Sequence, residues 1–301
     1  MRRHALALAL VLVAAGTVRA QEDDKKKSAE VLTQARAALG EKQPDVKKAR
    51  ELAERALELD KDNYMAHVLL SFIFDVKLGD GDKALEHVDL AIRGVPPAKN
   101  DKDYGPRKFK AELIANKAVI LYSYKDDLEG ARDLFKASMD NYELSSTADK
   151  LSNLLHRLSG LSKDPKKKEE QAKMALKYAE IALELPAQKK DPGAQKKWIA
   201  KVKLQLSLCR EMLGDKEGAR KALEAVDAED TDDATLYNQA LLDALHGDDK
   251  AVREKLSAFM KATRPEARSR NQLRKFIRTE PDFQKWVNEE SWKELVTPET
   301  E

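Results

Sequence analysis

Small and apolar residues recur along this chain at the spacing of a helix face. In LGDGDKALEHVDLAI, residues 78–92, Ala84, Val88 and Ala91 stand at i, i+4 and i+7, which places all three on one side of an α-helix. The same spacing joins Ala49, Ala53 and Ala56, then Ala131, Phe135 and Ser138, then Ala175, Ala179 and Ala182. It returns in Ala219, Leu223 and Val226 and, more weakly, in Val252, Leu256 and Phe259. Each segment follows another helical stretch and a polar turn: LGD at 78–80, YKDD at 124–127, LGD at 213–215 and HGDD at 246–249. The repeating unit is helix, turn, helix. Small residues on the shared face let a neighbouring helix approach closely, so the pattern predicts hairpins stacked on one another.

The clearest unit is ALELDKDNYMAHVLLSFIFDVKLGDGDKALEHVDLAIRGVP, residues 56–96. It resembles tetratricopeptide repeat proteins of bacterial, exported type, whose unit of about 34 residues carries this pattern of small and apolar positions. Ala56 to Asp60 match the end of one unit; Leu70, Ser71, Gly79, Asp80, Ala84 and Ala91 match the next, and Pro96 closes it. One extra residue lies between Ser71 and Gly79, and Lys61 stands where proline is usual. The first small residues fall at 49, 84, 131, 175, 219 and 252, so the steps are 35, 47, 44, 44 and 33. The three longer steps place insertions at 94–108, 162–170 and 186–197, read as solvated loops from their Pro, Lys and Asp content.

The resemblance covers residues 28–263. It implies an all-α, right-handed superhelical solenoid of about six hairpins, with partners held in a concave groove lined by the first helix of each unit. Counting back from the turns, the groove positions are Asn116, Lys117 and Tyr124, then Lys150, then Lys201 and Gln205, then Tyr237 and Asn238. Asn and Lys can hold an extended peptide by its backbone or its terminal carboxylate. The Lys-Asn-Asn-Lys-Arg clamp of some family members has no match here and is not carried over. Residues 264–296, with Phe276, Phe283, Trp286 and Trp292 at roughly helical spacings, read as a helical cap over the end of the array. The rival reading is an aromatic peptide-binding patch. Residues 297–301 form a tail.

The beginning of the chain has a different pattern. Arg2 and Arg3 precede an apolar run from Ala5 to Gly16, and Val18 and Ala20 supply small residues before Gln21. This reads as a secretory signal over residues 1–20, cleaved after Ala20, followed by a flexible charged stretch at 21–27. The run falls short of the roughly 20 apolar residues that cross a bilayer, so no stable membrane insertion is expected after cleavage. No cysteine follows the small residues, so a lipid anchor is not expected either. The expected location is the periplasm or the exterior of a bacterium.

Composition agrees with helices: 36% of residues are charged and only 6% aromatic, with no runs rich in Val, Ile and Thr. The chain carries 55 basic and 53 acidic residues. Without Arg2, Arg3 and Arg19 the excess of basic residues disappears, so nothing draws the mature chain to nucleic acid. The lysine runs at 25–27 and 166–168 lie beside Asp and Glu and read as solvated segments. The densest unbalanced patch is Arg264, Arg268, Arg270, Arg274, Lys275 and Arg278, relieved only by Glu266. It is either an exposed helix face or a grip for an anionic partner.

The search for chemistry yields little. None of the five histidines sits in HExxH, and His67, His87, His156 and His246 read as helix-surface or interface residues. There is no GxSxG elbow and no phosphate-cradling GxxxxGK[ST] loop. The acidic stretch at 227–234 lacks the glycine and the closing glutamate of a calcium loop, with Asp232 and Asn238 in those places. Cys209, the lone cysteine, cannot form an intramolecular disulfide and stands at an apolar helical position, as a core residue would. No catalytic, cofactor or metal residues are expected. The sequence thus reads as a non-enzymatic scaffold or adaptor for proteins or peptides of the cell envelope. A transient carrier or assembly chaperone for an envelope polymer or secretion system is the alternative, and no oligomeric state is implied.

Overall fold

Each Gly-Asp turn ends one helix and starts the next. Gly79, Gly214 and Gly247 take positive φ values of 58°, 77° and 79°, the left-handed conformation that closes a helix without a Cβ clash. The aspartate that follows caps the next helix: Asp80 accepts from the Lys83 amide at 3.1 Å, Asp215 from Gly218 at 2.9 Å and Asp248 from Ala251 at 3.0 Å. In the YKDD turn Asp126 takes the left-handed place, at φ 53°, and Asp127 caps the helix beyond it.

The computed structural model describes residues 2–41, 43–100, 102–186, 191–226, 233–263 and 267–298; the side chains of 2–20, 233–234, 262–263, 267–270 and 272 lie outside this description. The helices are α1 (Arg2–Gly40), α2 (Val46–Leu59), α3 (Tyr64–Phe72), α4 (Gly81–Gly94), α5 (Tyr104–Lys125), α6 (Leu128–Asn141) and α7 (Ser145–Leu161). After them come α8 (Pro165–Glu184), α9 (Pro192–Met212), α10 (Lys216–Glu224), α11 (Asp233–His246), α12 (Asp249–Thr263), α13 (Ala267–Thr279) and α14 (Lys293–Val296). Short 3-10 turns at Pro281–Phe283 and Glu290–Trp292 join α13 to α14. The charged stretch 21–27 lies inside α1. Among the described residues no helix is long and apolar enough to cross a membrane. Among the described residues the fold is all-α, built from paired antiparallel helices. It divides into two compact units, Met1–Lys125 and Asp126–Glu301.

In the first unit α1 pairs with α2 and α3 with α4, and α5 packs on α4. Ala49, Ala53, Ala56, Ala84, Val88 and Ala91 all lie in its core. α3 continues into a π-helical turn, Ile73–Leu78. The extra residue between Ser71 and Gly79 is absorbed there, since a wider turn adds a residue without breaking the helix.

In the second unit α7 pairs with α8, α9 with α10 and α11 with α12, while α9 also packs on α8 and α11. Ser71, Ser152 and Ser207 play one role in three hairpins across the two units. Each hydroxyl donates to the carbonyl of the first small residue of the facing helix, Ala84, Ala175 or Ala219, at 3.0, 2.7 and 3.0 Å. Phe283, Trp286, Trp292, Leu295 and Val296 share a core with Leu204 and Leu208 of α9, Leu241 of α11 and Leu256 of α12. These aromatic residues are buried, so they offer no exposed peptide-binding patch.

Two expectations need correction. Residues 165–170 and 192–197, expected in loops, are helical: Asp164 and Asp191 cap α8 and α9, each with proline in the first turn. The long repeat steps therefore lengthen helices, α8 to 20 residues and α9 to 21, against 14 in α4. In α10 the buried residues are Ala219 and Ala222, and Leu223 is 42% exposed. This helix stops at Glu224, so its contact face is one turn long and runs i, i+3. The acidic stretch 227–232 lies outside the described residues.

Candidate functional site

The expected groove residues have unequal fates. Asn116 on α5 is exposed, and Lys117 beside it forms an ion pair with Asp89 of α4 at 2.7 Å. The Tyr124 hydroxyl donates to the Asp75 carbonyl at 2.8 Å, and its ring lies where a Cβ on Gly81 would sit, 2.4 Å away. Tyr124 is thus a packing residue that requires glycine at the start of α4. Also in this unit, the His67 and His87 rings meet Nδ1 to Nδ1 at 3.0 Å, and His87 stacks on Phe74. Burial first, and for His87 the neighbouring His67, hold both imidazoles below their ordinary pKa.

In the second unit Lys150 is exposed, whereas Lys201 reaches the buried Asp149 carboxylate at 2.8 Å. Gln205 and Asn238, expected on the groove surface, are buried. Gln205 donates to Cys209 Sγ at 3.5 Å and Asn238 to the Lys201 carbonyl at 3.3 Å. The reason is the packing of α9 against α8, α7 and α11, which encloses that face of α9. Tyr237 packs at tilted and edge-on angles among Phe259, Phe276 and Phe283, and its hydroxyl donates to Glu280 at 2.8 Å.

The basic patch is also divided. Arg264 and the side chains of Arg268 and Arg270 lie outside the description. Arg274 turns inward, donating from Nε to the Glu294 carbonyl at 3.2 Å, and Lys275 pairs with Asp126 at 2.6 Å. Arg278 is exposed.

A second cluster was not foreseen. α7 carries His156 and Arg157 among Leu154, Leu155 and Leu158, and all five are buried. A buried charge needs a partner, and the turn after α13 supplies it. Gly160 lets that turn approach: a Cβ there would fall 2.9 Å from Pro281 Cβ. His156 Nε2 lies 2.9 Å from Asp282 Oδ2. Arg157 donates to Thr279 Oγ1 at 2.5 Å, lies over the Phe276 ring at 4.4 Å, and approaches Glu280 Oε2 at 3.8 Å.

Burial alone would lower the His156 pKa, but the hydrogen bond and charge of Asp282, together with the Cys209 sulfur, raise it to about 10. The imidazole is therefore a cation at neutral pH. Burial raises the pKa of Glu280, opposed by His156 and Arg157. His156, Glu280 and Asp282 bring one ring nitrogen and two carboxylate oxygens within 4.8 Å of one another. Cys209 is fully buried beside them, with Ser152 Oγ 3.9 Å from its sulfur, so the thiol has the surroundings of a core residue.

No family model and no curated protein matches the chain. Among solved structures it is similar to one described as the functional characterisation of Pseudomonas aeruginosa pilF, with a TM-score of 0.45 and 16% identity over 83% of this chain and 95% of that one.

The turns and the helices beside them were legible because Gly-Asp dipeptides mark them. The turns do not say which residues of those helices stay exposed: Asn116 and Lys150 do, whereas Gln205 and Asn238 are enclosed. The ionic cluster was not legible, although an adjacent His and Arg inside LLHRL was a usable signal: two charged residues amid leucines require partners somewhere in the chain.

Proposed function

We propose that this chain is a non-enzymatic adaptor that binds proteins or peptides of the bacterial cell envelope. The observation that carries the reading is the repeated hairpin itself. Its small-residue faces are consumed by packing, while the first helices α5 and α7 present exposed polar residues, Asn116 and Lys150. An exposed amide on α5 and, separately, an exposed ammonium on α7 each suit an extended polypeptide with free carbonyls or a terminal carboxylate. Residues 1–20 act as a cleaved export signal in this reading, and the mature chain begins at Gln21.

Lys117 and Lys201 are poor choices for testing the surface. Lys201→Glu would set a carboxylate against the buried Asp149, and the protein would lose stability whatever it binds. The test instead places a photo-crosslinking residue at 116 or at 150, with position 51 on α2 as the control, in cells that make the protein. Crosslinks to a defined set of envelope proteins from 116 or 150, absent from 51, support the adaptor. Equal capture from all three positions overturns α5 and α7 alike as binding faces. The mass of the purified mature chain tests cleavage after Ala20. A transient carrier would show the same crosslinks with rapid exchange of the captured protein.

A further inference from the structure

We propose that His156, Glu280 and Asp282 form a binding site for a divalent transition-metal cation that fastens the turn after α13 to α7.

The donor set comes first. One imidazole and two carboxylates gathered within 4.8 Å are a ligand combination for Zn2+ and its neighbours, which accept nitrogen and hard oxygen together. The 2.9 Å between His156 Nε2 and Asp282 Oδ2 is close to the separation of two ligands about 2.0 Å from one ion.

The second observation is independent of that gathering. Glu280 is buried, and its two oxygens differ. Tyr237 donates to Oε2, and Arg157 approaches the same oxygen. Oε1 is sealed from solvent and accepts no hydrogen bond among the described residues. A buried carboxylate oxygen without a partner is costly, and a cation is the partner that satisfies it. Asp282 is the open side of the cluster, with its side chain 20% exposed, and gives an ion and its remaining water a way in.

Without the ion, the charges facing the site are those of Arg157, His156, Glu280 and Asp282, beside Tyr237 and Cys209. An ion at His156 Nε2 replaces the proton held there, so binding releases that proton and weakens as pH falls. Arg157 is held by Thr279 and Phe276, so it does not fill the place of the ion. Three protein ligands on two distant segments give the ion a tethering role.

The test uses the full chain, stripped with chelator, dialysed, and titrated with Zn2+ by calorimetry and with Co2+ by visible absorption. The expected result is one saturable equivalent and a Co2+ ligand-field spectrum. Glu280→Gln and Asp282→Asn should each weaken Zn2+ binding by at least about 100-fold, the upper end of what losing an outer partner of a metal ligand costs. Zn2+ should raise the melting temperature of the unaltered chain and leave that of the Asp282→Asn protein unchanged. Both variants keep the shape of the side chain, and Asp282 is partly exposed, so the test stands even where His156→Gln does not fold. Absence of saturable binding overturns the proposal. So does binding that both variants retain, or that is lost instead in His67→Gln, which would place the ion on the His67–His87 pair.

Discussion

Glycine at 160 and at 40 should behave in opposite ways when replaced by alanine. A Cβ at 160 would press on Pro281, a rigid ring that holds the segment bearing Asp282, whereas one at 40 meets nothing within 4 Å. Overpacking of this kind costs about 1–3 kcal/mol. Urea denaturation should show that loss for Gly160→Ala and little change for Gly40→Ala. Asp126 offers the converse case. Its φ of 53° is a left-handed conformation that costs a non-glycine residue roughly 1–2 kcal/mol. Asp126→Gly should recover part of this, less the exposed ion pair with Lys275, which contributes at most about 1 kcal/mol. A net change near zero or a small gain in urea midpoint is expected; a large loss would mean that the ion pair dominates. At this scale the Gly-Asp turns were plain in the sequence, because left-handed backbone and N-capping each demand few residue types. The fates of Gln205 and Asn238 were not. An amide on a helix is equally compatible with solvent and with a buried hydrogen bond until its neighbours are known.

Helices α8 and α9 begin earlier than their Lys- and Pro-rich composition suggests. Proline in the first turn loses no hydrogen bond, and Asp164 and Asp191 accept from the Lys166 and Ala194 amides at 2.9 and 2.6 Å. Amides 169–172 should therefore be protected from hydrogen exchange well above the level of a loop. Asp191→Ala should lower stability by about 1 kcal/mol and raise exchange across the first turn of α9. Unprotected amides at 169–172 would restore the loop reading. The helices themselves were legible through their period, since Ala175, Ala179 and Ala182 point one way whatever the partner. Their start points were obscured because charged side chains are as much at home on a solvated helix as in a loop.

The two units should answer pH in opposite directions. In the first, His67 and His87 have folded pKa values below 6.5, so their neutral form stabilises the fold above pH 6.5, and this is lost as pH falls below it. In the second, His156 has a folded pKa of about 10 against 6.5. Its contribution is complete below pH 6.5 and is lost as pH rises toward 10; the raised pKa of Glu280 acts with the same sign. Hydrogen exchange followed by segment in chelator-treated protein, corrected for intrinsic rates, should show α3 and α4 loosening on acidification and α7 with the 279–283 turn loosening on alkalinisation. His156→Gln should flatten the second response. A uniform response along the chain would contradict both assignments.

The sequence by itself determined most of the helices, the turns between them, and the pairing of α1 with α2, α3 with α4, α7 with α8, α9 with α10 and α11 with α12. These follow from the i, i+4, i+7 spacing and from Gly-Asp dipeptides, and both are local. Even the extra residue between Ser71 and Gly79 was visible, though only the fold showed it as a π-helical turn. Tertiary structure alone decided which polar residues stay exposed and which are enclosed. Lys201 finds Asp149 across 52 positions and His156 finds Asp282 across 126. No spacing rule reaches that far, because such pairs are chosen by how helices pack and by the cost of leaving a buried charge alone.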